Sequence, residues 1–292
     1  MNELQKRSLL YGIGALVLGG LGTVWGAGRA GADAMTLLSS ADVQLRLAYG
    51  IPAHDRDGNA MTSRDAMITD AERHLAEVER VQPGLAVTAE FQGFAAMLRG
   101  RPADAAMAYR RARACADCGE EQRDVLVFNE ARMLAEAGNR EQAVELFERF
   151  SATLDARFGH QRAIEQAGIL RELGRRQAAE GLLDGVMRDD GAPPMAALQA
   201  GQQYERLGHT DKAATMFARA AAAVPIADYD LARLKLLQGD VDSCLQLLER
   251  VAAVLPVEVR RRLREESDAW QALAGEARFR ELCSSPPATP GR

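Results

Sequence analysis

The sequence predicts an all-α protein built as an array of helical hairpins, and three observations predict it. Five glycines, Gly100, Gly138, Gly174, Gly208 and Gly239, each close an apolar helical run and stand five residues ahead of Ala105, Ala143, Ala179, Ala213 and Cys244. Successive glycines lie 38, 36, 34 and 31 residues apart, a period that marks repeated units sharing one elongated core. Alanine, leucine, glutamate and arginine dominate beyond the N-terminus and long stretches lack proline, which favours helix throughout.

Residues 1–7 form a polar N-terminus in which Lys6 and Arg7 adjoin an uncharged stretch, 8–28. At helical rise that stretch is long enough to cross a hydrocarbon core of about 30 Å. Two cations precede it and only Arg29 directly follows, so the positive-inside rule places the N-terminus in the cytoplasm and the array outside. Ala30-Gly31-Ala32 and Ala32-Asp33-Ala34 are also patterns a signal peptidase accepts, leaving a cleaved, secreted form as the alternative. The reversed topology, with the array cytoplasmic, stays open beside both. Gly12, Ala15, Gly19, Gly22 and Gly26 put small residues along one helix face, which would permit a homodimer through the span.

The hairpins follow over 35–282. The first pairs Met35 to Tyr49 with a helix carrying Ala71, Leu75 and Val78 across a long connection. Ala86 to Gly119 holds Gly93, Gly100, Ala105, Tyr109 and Ala112; Asp124 to Arg157 holds Ala131, Gly138, Ala143 and Phe147, with a bulky Phe150. His160 to Pro193 supplies Ala167, Gly174, Ala179 and Leu183. Pro194 to Ala227 is the clearest unit, with Ala200, Gly201, Tyr204, Gly208, Ala213, Phe217, Ala220 and Pro225. The unit from about Pro225 to Glu258 puts Lys235 and Cys244 at positions held elsewhere by an aromatic and an alanine. Val257 to Glu266 and Asp268 to Leu282 are expected as two capping helices, and 283–292, with three prolines, as a disordered tail.

Small residues where two helices cross, an aromatic filling the gap and a proline ending the hairpin are the types and spacings of the tetratricopeptide signature, which the Pro194 unit resembles closely. The resemblance implies a right-handed superhelical solenoid of about six hairpins, whose first helices line a concave groove for a protein or peptide partner. It places Glu90, Phe94, Phe128, Arg132, Ile164, Arg171, Leu198, Gln202, Tyr229 and Arg233 on that groove. The apolar members either contact a partner or pack between neighbouring hairpins. The basic clamp of chaperone-binding relatives is missing, since only Asn129 matches it and Glu90, Phe94, Gln161 and Glu165 do not.

Little else carries chemistry. Cys115 and Cys118 form a CxxC without a following histidine or a second CxxC, which excludes haem attachment and argues against zinc. The pair reads as a small disulfide or plain packing; a thiol-redox or metal-handling protein using it is the rival from another functional class. His54, His74, His160 and His209 are too scattered for a metal pair, and the loop His54 to Asn59 lacks the first and twelfth ligands of a calcium loop. No nucleophile elbow or phosphate-binding glycine loop occurs. A net charge of −5 without a basic block argues against nucleic acid. The expectation is a non-enzymatic, membrane-tethered scaffold, without metal or cofactor, working in the cell envelope.

Overall fold

The computed structural model of this 292-residue chain describes residues 31–54 and 61–284, and among them every regular element is helical. The expected span 8–28 and the tail from 285 lie outside the described residues; no described helix is long and apolar enough to cross a membrane. The chain divides into two compact units, with the boundary after Arg162.

The first unit holds α1 (Ala32–Gly50), α2 (Thr62–Val81), α3 (Ala86–Leu98), α4 (Pro102–Ala114), α5 (Glu120–Glu136), α6 (Arg140–Arg149) and the opening of α7 (Ser151–Glu172). The second holds the rest of α7, then α8 (Arg176–Arg188), α9 (Pro194–Leu207), α10 (Thr210–Ala221), α11 (Ala227–Leu237), α12 (Val241–Val254), α13 (Pro256–Glu265), a 3-10 segment (Ser267–Leu273) and α14 (Ala277–Ser284). From α3 onward the helices are joined by short turns, as the glycine spacing predicts, while α1 and α2 pack together across the longer connection 51–61.

The turns explain that spacing. At all five repeating glycines φ lies between +69° and +88°, a left-handed conformation that no other residue type adopts among the described residues. At Gly208, the glycine N–H donates to Glu205 O at 2.9 Å and His209 N–H reaches back to Tyr204 O at 2.9 Å. Two orphan carbonyls of the helix end are thereby satisfied in a Schellman motif. Ala213 N–H then donates to His209 O at 3.0 Å, the opening bond of α10, and the pattern repeats from Arg101, Asn139, Arg175 and Asp240. The fixed interval from glycine to alanine or cysteine is the length of this stop and restart.

Each fully buried alanine after a turn lets the second helix lie close to the first, and a large side chain one helix turn on fills the space between them. In α3 a Cβ on Gly93 would stand 2.7 Å from Tyr109 Cε1 of α4, so only glycine fits there. Ala131 with Phe147, Ala167 with Leu183 and Ala232 with Leu248 repeat the small-to-large pairing sixteen residues apart, all buried. Burying each such large side chain contributes about 1.5–3 kcal/mol.

Three boundaries differ from the sequence expectation. The unit expected at Asp124 to Arg157 starts at Glu120, and its second helix ends at Arg149. Phe150 leaves helical geometry there (φ −108°, ψ 16°), its ring flanked by the guanidinium groups of Arg113 and Arg149 at 5.6 and 5.5 Å. That contact is why a bulky residue replaces a small one. A new helix begins at once, Leu154 N–H donating to Phe150 O at 3.0 Å, and bends at Gly159 (φ 3°, ψ −85°).

The second difference is the C-terminal cap. The single helix expected over Asp268 to Leu282 is a 3-10 segment and a short helix, broken around Gly275. Breaking it lets Trp270, Leu273 and Phe279 all turn inward, each less than a tenth exposed. Arg278 clamps the cap to α12 through paired bonds of 2.7 Å to Glu249. Thirdly, Cys283 and Ser284, expected in the tail, complete α14.

Candidate functional site

In the first unit, the opening helices of three hairpins bring polar groups together on one face. Asp42 and Tyr49 lie seven residues apart on α1, Glu90 and Phe94 four apart on α3, and Gln122, Asn129, Arg132 and Glu136 follow helical spacing along α5. Glu90 is the one charged residue of α3 and only 4% exposed. Its carboxylate accepts a hydrogen bond from Gln122 Nε2 at 2.7 Å. Burial raises its pKa to about 7, with the Asp42 carboxylate adding to the rise and the Gln122 bond opposing it.

Tyr109 of α4 stands behind this face, its hydroxyl within electrostatic reach of Glu90, Arg132 and Glu136, and burial pushes its pKa far up. The Tyr49 ring lies 6.0 Å from that of Phe94, and its hydroxyl feels Arg132. Tyr49 Oη, Tyr109 Oη and Asn129 Nδ2 are buried with no hydrogen-bond partner. Most buried polar groups are paired, so these three atoms are exceptions to the rule.

The second unit also carries polar groups on its first helices, several of them paired with one another. Gln202 Nε2 donates to Asp230 Oδ2 at 3.2 Å and Arg233 pairs with Glu205 at 2.7 Å. Burial raises the pKa of Asp230, and Arg262 and Arg233 counter it. The C-terminal cap closes this end: Trp270 Nε1 donates to Tyr229 Oη at 3.0 Å, that hydroxyl lies 3.3 Å from Glu266, and the Arg262 guanidinium sits 5.4 Å from the Tyr229 ring centre.

The expected groove residues therefore separate by chemistry. Phe94, Phe128, Ile164, Leu198 and Tyr229 are all less than a tenth exposed, and Phe128 packs on Phe147 and Phe158 with ring centres 5.6 and 4.9 Å apart. Their place is in the packing between helices. Arg171, Gln202 and Arg233 are partly exposed, while Glu90 and Arg132 are buried. Asp42, Tyr49, Tyr109 and Gln122 were missed by sequence reasoning. For Asp42, Tyr49 and Gln122 the signal that could have found them is polar residues recurring at helical spacing along the first helices; Tyr109, on a second helix, carried none.

Cys115 and Cys118 are free thiols, so of the two structural readings, disulfide or plain packing, the arrangement is the packed one. Cys115 Sγ donates to Arg111 O at 3.3 Å, and Cys118 N–H to Cys115 O at 3.2 Å, closing the α4–α5 turn. Asp117 between them accepts from Ala86 N–H at 3.1 Å, tying that turn to the start of α3. Burial raises both thiol pKa values; Asp117 and Glu79 add to the rise at Cys115, and Glu90 at Cys118. A redox thiol needs the opposite shift. Among the described residues no cluster of histidine, cysteine or carboxylate side chains is arranged to hold a metal ion.

Repeating Schellman turns, small-to-large crossings and polar inner faces define a helical-hairpin array of tetratricopeptide-repeat type. The structure resembles that of PilW, described as a widely conserved type IV pilus biogenesis factor, with a TM-score of 0.53 at 12% identity, over 74% of this chain and 94% of that one. PilF of Pseudomonas aeruginosa follows with a TM-score of 0.49 at 14% identity, over 76% of this chain and 95% of that one. A tetratricopeptide repeat protein from Parabacteroides merdae gives 0.47 at 14% identity, over 84% of this chain and 98% of that one. No family model matches the sequence and no curated protein matches it. At such identities the likeness to PilW concerns the fold alone.

Proposed function

We propose that this chain is a non-catalytic scaffold that binds a protein or peptide partner along the inner face of its first helices. The observation that carries this reading is the set of buried, unpartnered polar atoms on Tyr49 and Tyr109, whose hydroxyls both feel Arg132, and on Asn129, three residues before Arg132 on α5. Groups held rigidly by their helices bind at low entropic cost, because little remains to be ordered. The tetratricopeptide fold supports the same reading.

We further propose, from the uncharged stretch 8–28 and its flanking cations, that the scaffold is tethered to a membrane with its array outside the cytoplasm. N-terminal sequencing of the mature protein tests the tether, which fails if residues 1–32 are absent. Protease protection in intact cells tests the side.

Binding is tested by photo-crosslinking from a benzoylphenylalanine placed at Met97, partly buried in α3, or at Met107, exposed on α4. Adducts formed from position 97 and not from 107 are expected. Adducts formed only from position 107 would move the contact to the second helices and overturn the proposal.

A further inference from the structure

We infer that the inner face of the first unit selects a partner bearing a basic side chain, whose ammonium or guanidinium group is received by the Glu90 carboxylate. This rests on the binding role proposed above and narrows it to one chemistry.

Glu90 is held among helices with only Gln122, a neutral donor, bonded to its carboxylate. No lysine or arginine is among the groups that act on it, and the one charge that does, Asp42 on α1, has the same sign. Asp42 is already paired with Arg46 at 2.8 Å. A buried carboxylate lacking a cation is costly, and a cation brought in by a partner removes that cost.

The second observation is independent of the charge. Tyr109 is 1% exposed, its Oη has no partner, and that hydroxyl lies within electrostatic reach of Glu90. An ammonium carries three donors and no acceptor, so it suits a site offering a carboxylate and an unbonded phenol oxygen. Lysine also suits a buried carboxylate, because its charge rides on a slim four-carbon stem.

Arg132 defines the other end of the face. It follows Gln122 by ten residues along α5, about 15 Å at helical rise, and acts on the hydroxyls of Tyr49 and Tyr109. The Asp42 and Glu90 carboxylates draw a basic group toward their end of the face. The titratable groups around the receiving position are Asp42 from α1, Tyr109 from α4, Cys118 from the α4–α5 turn, and Arg132 and Glu136 from α5.

The proton competes with the partner's cation for this site. Glu90 titrates at about 7, so selection for a basic group is present above that pH and lost below it, while lysine itself stays charged throughout.

The test presents the purified full-length chain with two immobilised nonapeptide libraries, identical except that every lysine in one is norleucine in the other. At pH 8 the wild type should retain the lysine library about tenfold better, the scale of one charge-assisted hydrogen bond. That preference should vanish at pH 5.5 and be absent at both values in Glu90→Gln. A wild type that binds both libraries equally overturns the inference and leaves the binding role standing. A lysine preference that survives in Glu90→Gln, or that does not change with pH, overturns it too. Failure to bind either library overturns it as well, and the crosslinks from position 97 then decide the binding role separately.

Discussion

Gly201 of α9 and Phe217 of α10 are in direct apposition: a Cβ added to the glycine would stand 2.6 Å from Phe217 Cε1 and 3.3 Å from Ala213 O. Two helix backbones meet there with one ring between them. Gly201→Ala should destabilise the chain by about 1–3 kcal/mol through overpacking, whereas Gly181→Ala on the open face of α8 should stabilise by roughly 0.5–1 kcal/mol. Urea unfolding followed by circular dichroism measures both. Equal effects at the two sites would mean that the crossing is looser than it stands here.

Glu90 ties stability to pH. Its folded pKa of about 7 lies above the ordinary 4.5, so the folded state binds the extra proton between those values. The contribution is full below about pH 4.5 and is lost as pH rises through about 7. Glu90→Gln removes this dependence, and the variant should gain on wild type by a few kcal/mol, on the order of the raised pKa, between pH 4.5 and 8. Parallel stability curves for the two proteins would show that Glu90 is not buried in solution.

At the C-terminal cap, Trp270 is 1% exposed and its indole N–H satisfies the Tyr229 hydroxyl. Trp270→Phe keeps most of the apolar volume but removes the donor, and should cost about 1–3 kcal/mol. Trp270→Ala should cost about 3–5 kcal/mol. Amide exchange would show faster opening of α11 and α12 in both variants and little change in α3 to α5.

The thiols give a further check. With Cys115 and Cys118 both held above the ordinary thiol range, a maleimide should label them more slowly than free cysteine at pH 7.4, and the rate should climb toward pH 9. Fast labelling at neutral pH would revive a redox role for the pair.

Much of the fold was legible because its signals are local. A left-handed glycine and the first helical bond four residues past the next residue fix one interval, and the chain repeats it from Gly100 to Gly239. The small-to-large crossings sit at constant separation for the same reason. The break near Gly275 was not legible, because it follows from Trp270 and Phe279 both needing to face α11 to α13, a demand set by tertiary packing. Phe150 likewise looked like a defect until Arg113, distant in sequence, appeared against its ring.

The inner face was half visible. Repeat position alone singles out Glu90 and Arg132, and both act on the orphaned Tyr109 hydroxyl. Phe128 and Tyr229 looked like contact anchors in one dimension because burial among helices and burial under a partner demand the same side chains. Only the neighbours, Phe147 and Phe158 for one and Trp270 for the other, separate the two.

The indole that seals Tyr229 also covers one flank of the array. A hairpin array grows by laying each new pair against the bare flank of the last, so an open flank is an invitation to another copy of the same chain. Trp270, Leu273 and Phe279 spend that flank within the molecule, and end-to-end polymerisation at this terminus would first have to peel them away.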